Sequence, residues 1–139
     1  MFRHAITCHV LDTISGRPAP GIRCTLAREY SLDKFVPIAT AKTDSDGRVS
    51  QWQLFDSSSD DLTPEPTSPE MFLAAAAADA TSHTLFRVTF AGIDKFYNGD
   101  TFFPYVDITF TVPAGKLGVE HFHIPLLLSR YSYSTYRGS

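Results

Sequence analysis

Val119-Glu120-His121-Phe122-His123-Ile124-Pro125-Leu126-Leu127-Leu128 reads as a β-strand whose two faces differ in chemistry. Strand side chains alternate between faces. Phe122, Ile124, Leu126 and Leu128 therefore share a core face, and His121 and His123 share the other. The far end of the chain repeats the arrangement. In Ile6-Thr7-Cys8-His9-Val10-Leu11, the residues Ile6, Cys8 and Val10 fall on one face, and Thr7 and His9 on the other. Two strands from opposite ends of the sequence thus carry histidines off the core. If they lie side by side, they make a site.

The remainder of the chain reads as further short strands: 4–11, 22–29, 35–42, 48–54, 84–91, 105–112, 119–128 and 131–137 in all. Turn signals separate them at Ser15-Gly16-Arg17-Pro18 with Pro20-Gly21, at Asp44-Ser45-Asp46-Gly47 and at Pro113-Ala114-Gly115-Lys116. Eight punctuated strands and one short helix around Ile93–Tyr97 predict an all-β sandwich or barrel. Residues 56–83 break the rhythm. They run from Asp56-Ser57-Ser58-Ser59-Asp60-Asp61 through Pro64, Pro66 and Pro69 to the alanine run 74–78. The reading is a surface insertion, with a helix opening at Ser68 as N-cap and Pro69 at its first position.

A length of 139 residues fits one domain spanning 1–139, long enough for a core without metal or disulfide support. Net charge is −3, which gives no basis for a nucleic-acid or anionic-membrane partner. No apolar run approaches the ~20 residues of a membrane span. Cys8 and Cys24 are too few for a disulfide framework and read as reduced core thiols. Met1-Phe2-Arg3-His4 leads into a strand without the apolar stretch of a secretory signal, and Arg137-Gly138-Ser139 is not the Ser-Lys-Leu address. The expected location is intracellular, cytoplasmic or peroxisomal.

Several motifs invite chemistry. His121-x-His123, with His9 as a third nitrogen, has a spacing that zinc uses. Cys8 points to the opposite face, however, and no Asp or Glu falls at an obvious ligand position beside the histidines, so no metal is assigned. Asp44-Ser45-Asp46-Gly47 lacks the acids of a calcium loop, with Lys42 and Gln53 at the required places. It reads as a hairpin turn that sets Arg48 at the start of a strand. Ser132, Ser134 and Tyr136 alternate with Tyr131, Tyr133, Thr135 and Arg137, so the last strand is polar on both faces. Such a strand is an exposed edge or lines an interface or pocket.

Together these pieces resemble the 5-hydroxyisourate hydrolases, the transthyretin-related enzymes of urate breakdown. The resemblance lies in Ile6-Thr7-Cys8-His9-Val10-Leu11-Asp12-Thr13 with Gly16-Arg17-Pro18-Ala19, and in His121–Ser129 with Tyr133-Ser134-Thr135-Tyr136-Arg137-Gly138-Ser139. Asp46-Gly47-Arg48 and Phe102-Phe103-Pro104 match internal landmarks. Departures are Phe122 where Tyr is common, Arg130 where Pro is common, and the longer central insertion.

The resemblance implies a transthyretin-like eight-stranded β-sandwich, assembled as a homotetramer (a dimer of dimers) with sites in a channel between subunits. It implies a hydrolase acting on a cyclic amide C–N bond of 5-hydroxyisourate, with no cofactor. His9, Arg48 and His123 would be catalytic. Substrate would be bound by His9, Arg48, Tyr136, Arg137, Gly138 and Ser139. Hormone-carrying relatives have Lys, Glu, Thr and Thr in place of His9, Arg48, His123 and Tyr136, a contrast that favours an enzyme. Two other readings stand at this point: a transthyretin-like carrier of a small aromatic ligand, and a sandwich stabilised by zinc on His9, His121 and His123.

Overall fold

The alternation in the terminal strands is the seam of the molecule. A computed structural model describes residues 5–54, 83–117 and 119–138. Strand β1 (Ile6–Asp12) and strand β9 (Phe122–Leu128) run parallel, paired from Ile6 with Phe122 to Asp12 with Leu128. Ile6, Cys8, Val10, Phe122, Ile124, Leu126 and Leu128 are all buried, as one shared face requires. Burying a side chain of this size contributes roughly 1.5–3 kcal/mol, so seven on one face anchor the sheet. A slip of one residue would turn all of them to solvent.

Between these ends lie β2 (Arg17–Pro18), β3 (Arg23–Ser31), β4 (Lys34–Lys42), β5 (Arg48–Val49), β6 (Gln53–Leu54), β7 (Thr84–Ala91), the short helix α1 (Ile93–Phe96) and β8 (Val106–Val112). Strand β10 (Tyr133–Thr135) follows β9. One sheet has the order β10-β9-β1-β2, with β5 also paired to β1, and the other has the order β6-β4-β3-β7-β8. Leu26, Phe86, Val88 and Phe90 from the second sheet meet the first sheet's apolar face in one core. This is the expected all-β sandwich. Cys8 and Cys24 are buried in it as free thiols, and their mutual contact and burial push the Cys8 thiol pKa well up.

The strand count differs from the expected eight: the described residues form ten strands. Segment 48–54 divides: Arg48 and Val49 pair with β1 in the first sheet, whereas Gln53 and Leu54 pair with β4 in the second. The chain crosses there from one sheet to the other. Trp52 seals the crossing by donating its indole N–H to the Ile6 carbonyl at 2.8 Å. Arg17–Pro18, read as turn, pairs with Leu11 and Asp12. The C-terminal strand is three residues, shorter than the expected 131–137. The insertion 56–83 lies outside the described residues except for His83, and so does the helix expected from Ser68. Among the described residues no helix is long and apolar enough to cross a membrane.

Candidate functional site

Register assembles the site. On the parallel β1–β9 ladder Thr7 stands beside His123 and His9 beside Pro125, while the antiparallel β1–β5 pair sets Arg48 opposite His9. His9, Arg48 and His123 thus converge on the outer face of one sheet, from three segments far apart in sequence. The His9 and His123 rings lie 6.5 Å apart at an interplanar angle of 29°, and His121 and His123 lie 6.4 Å apart at 21°. The three imidazoles form a loose ladder. Among the described residues, no three His, Cys, Asp or Glu side chains come together to hold a metal ion.

The Asp44–Gly47 turn delivers Arg48. The Asp44 carboxylate accepts hydrogen bonds from the Asp46 N–H at 2.8 Å and the Arg48 N–H at 3.0 Å, an Asx turn. Gly47 adopts φ +73°, and a Cβ there would lie 2.5 Å from the Val10 carbonyl oxygen. Only glycine lets this turn press on β1, where the Val10 N–H donates to the Gly47 carbonyl at 2.8 Å. The close approach places the exposed Arg48 next to half-buried His9. Burial and then the Arg48 charge lower the His9 pKa from 6.5. A hydrogen bond with the Asp46 main chain and the Asp44 and Asp46 charges oppose them. His9 is therefore neutral at physiological pH, ready to accept a proton.

Pro125 shapes the chain end. Strand β10 pairs with β9 from Tyr133 with Leu128 to Thr135 with Leu126, and then the ladder stops. Pro125, which has no N–H to contribute, is the next residue of β9. Pairing resumes in the same register at Gly138, whose N–H donates to the His123 carbonyl at 2.9 Å. This interruption is why β10 ends early. By alternation Tyr136 and Gly138 share the His123 face, and Arg137 takes the opposite one. A Cβ on Gly138 would stand 2.6 Å from the His123 Cδ2 and 3.1 Å from the Pro125 Cγ. Gly138 is thus a space requirement of the His123 ring.

Arg137 is turned elsewhere. Its guanidinium donates to the Glu120 carboxylate at 3.2 Å and covers the Phe122 ring at 4.8 Å. A cavity of about 330 Å³ beside it is lined by Ile108, Phe110, Phe122, His123, Tyr136 and Arg137, but not by His9 or Arg48. A wider hollow of about 570 Å³, lined in part by Arg23, Lys42 and Lys95, shares no residue with the site. The histidine face itself is open. Tyr136 is 59% exposed on it, and Ser139 lies outside the described residues.

One site residue was not singled out from the sequence. Thr7, 4% exposed, places its hydroxyl oxygen 2.8 Å from the His121 Nε2 and 2.7 Å from the His123 Nδ1. Alternation already put it on the His9 face. Its contact with both C-terminal histidines follows only from the parallel register.

A model for the HIUase/Transthyretin family matches residues 6–138. The chain belongs to that family. A 5-hydroxyisourate hydrolase of Salmonella dublin is 35% identical over 136 residues, covering 96% of this chain and 80% of the relative. The structure of Klebsiella pneumoniae 5-hydroxyisourate hydrolase superposes with a TM-score of 0.60 at 24% identity, over 100% of both chains. Sea bream transthyretin in complex with thyroxine superposes with a TM-score of 0.66 at 20% identity, over 96% of this chain and 94% of its own. The two superpositions establish the shared sandwich and do not separate enzyme from carrier. That distinction rests on sequence and on side chains.

Proposed function

We propose that this protein is a 5-hydroxyisourate hydrolase, opening the ring of 5-hydroxyisourate to 2-oxo-4-hydroxy-4-carboxy-5-ureidoimidazoline. The observation that carries the reading is the convergence of His9, Arg48 and His123 on one open sheet face, in a chain whose sequence relatives include a hydrolase of that name. Neutral His9 takes a proton from water as its oxygen bonds to a ring carbonyl carbon. Arg48, always cationic, balances the charge developing on the carbonyl oxygen. The C–N bond of the cyclic amide then breaks, its electron pair staying on nitrogen, and His123 supplies the proton that nitrogen needs. Tyr136 and Gly138, which share the His123 face, border the bound ring, while Arg137 is held on the opposite face by Glu120.

The same reading makes residues 1–139 one catalytic domain of a homotetramer, a dimer of dimers whose subunits close the open face into a channel. The exposure of Arg48 and Tyr136 on that face supports it, and light scattering coupled to gel filtration tests it. An intracellular location, cytoplasmic or peroxisomal, accords with two free buried thiols.

A urate-oxidase-coupled absorbance assay tests the activity. The protein should accelerate decay of the hydroxyisourate signal, and His9→Ala, Arg48→Ala and His123→Ala should each lose about 10²–10⁴-fold in rate with unchanged elution volume. A carrier would leave the decay at its spontaneous rate, and that result would refute the proposal.

A further inference from the structure

We propose that Thr7 is a positioning residue for His123, accepting the His123 Nδ1–H and passing its own proton to the His121 Nε2. His123 then exchanges protons at Nε2 alone. The inference deepens the hydrolase reading and rests on it.

A hydroxyl has one proton to donate and lone pairs with which to accept. The Thr7 oxygen lies within 2.8 Å of two imidazole nitrogens, the His121 Nε2 and the His123 Nδ1. It can donate to only one of them, so the other must donate to it. Thr7 is buried to 4% exposure, and a bond left unmade there would not be replaced cheaply by bulk water. The two rings are therefore coupled: the direction of one hydrogen bond sets the direction of the other.

Two orders are possible. In the first, the His121 Nε2–H donates to Thr7 and Thr7 donates to the His123 Nδ1. Neutral His123 then carries its proton on Nε2, and its Nδ1 lone pair is occupied. Such a ring has its only lone pair tied up by Thr7 unless the whole chain reverses. In the second order, the His123 Nδ1–H donates to Thr7 and Thr7 donates to the His121 Nε2. Neutral His123 now has its lone pair on Nε2, and the imidazolium differs only by a proton on that same atom. His123 can give a proton to the departing ring nitrogen from Nε2 and regain one there, while Nδ1, Thr7 and His121 stay as they are. Only the second order lets the ring cycle without rearrangement. A general acid has to return to its starting state every turnover, so the chemistry selects it.

The fold supports this role for Thr7. It stands directly beside His123 on the ladder, with His121 one pleat away on the same face. Gly138 packs on the other edge of the His123 ring, where a Cβ would lie 2.6 Å from Cδ2. The hydroxyl sets the ring's tautomer and the glycine sets its space.

Long-range ¹H–¹⁵N correlation spectra of the histidine-labelled protein test the proposal directly, because they report which nitrogen of each neutral ring is protonated. In the native protein His121 and His123 should both appear as Nδ1–H tautomers. Thr7→Val, which keeps the shape and removes the hydroxyl, should return His123 to a mixture and lower kcat by about 10–100-fold with little change in KM. Thr7→Ser should restore both. A native His123 carrying its proton on Nε2, or a folded Thr7→Val protein with native kcat, would overturn the assignment. The native spectrum decides the matter even if Thr7→Val does not fold. A native protein that fails to accelerate hydroxyisourate decay would instead count against the hydrolase reading, with the tautomers still measured independently.

Discussion

Gly138→Ala is the most economical probe of how the chain end serves His123. The added methyl would sit 2.6 Å from the His123 Cδ2 and 3.1 Å from the Pro125 Cγ. Carbon atoms settle at about 3.5–4.0 Å, so roughly 1 Å of displacement has to be found. Pro125 is buried and its ring is rigid. Either the imidazole swings, giving up its 2.7 Å contact with Thr7, or the chain end lifts and loses the 2.9 Å bond from the Gly138 N–H to the His123 carbonyl. One lost hydrogen bond costs about 0.5–1.5 kcal/mol. For a domain of this size that lowers Tm by roughly 2–6 °C. A catalytic group misplaced by about 1 Å costs ~10²-fold in rate. Activity should therefore collapse while folding is little affected. The coupled assay and a thermal melt measure both. A kcat within twofold of native would refute the reasoning, since it would mean that neither the His123 ring nor the chain end is held where the chemistry needs it.

Arg48→Gln should raise the His9 pKa, because the Arg48 charge is, after burial, the second influence holding it below 6.5. Less His9 would then be neutral at any mildly acidic pH, and a ¹H NMR titration of the His9 ring should show the upward movement. No movement would mean that burial alone sets it. Tyr97→Phe removes the hydroxyl that donates to the buried Asp12 carboxylate at 2.5 Å. Burial pushes the Asp12 pKa up, yet its hydrogen bonds with Tyr97, Ser15 and Ile14 outweigh this and hold it below 3.8. A carboxylate with a depressed folded pKa stabilises the protein above its unfolded value, and that stabilisation fades as pH falls through the folded one. The variant should lose about 1.5–3 kcal/mol at neutral pH. The gap from native should narrow in urea melts below pH 4, and a gap independent of pH would contradict this account.

Alternation alone makes Phe122, Ile124, Leu126 and Leu128 a core face and leaves His121, His123, Thr7 and His9 on the other side. That pattern is local, with period two and a hydrophobic contrast, so the sequence by itself determined the two terminal strands, an all-β sandwich or barrel, and the histidine face. The family resemblance supplied Tyr136 through the C-terminal signature and Arg48 through the internal Asp46-Gly47-Arg48 as candidates. Tertiary structure decided what is relational. The two-sheet division of 48–54 depends on where Trp52 finds the Ile6 carbonyl. The pairing of Thr7 with His123 depends on a parallel register between segments more than a hundred residues apart. Arg137 shares a tetrapeptide with Tyr136 and Gly138, yet the antiparallel pairing puts it on the opposite face, against Glu120 and Phe122. Side-chain periodicity is written along one chain, whereas the partner that each face meets is set by long-range packing, where contacts from distant segments jointly minimise exposed apolar surface and unpaired polar groups.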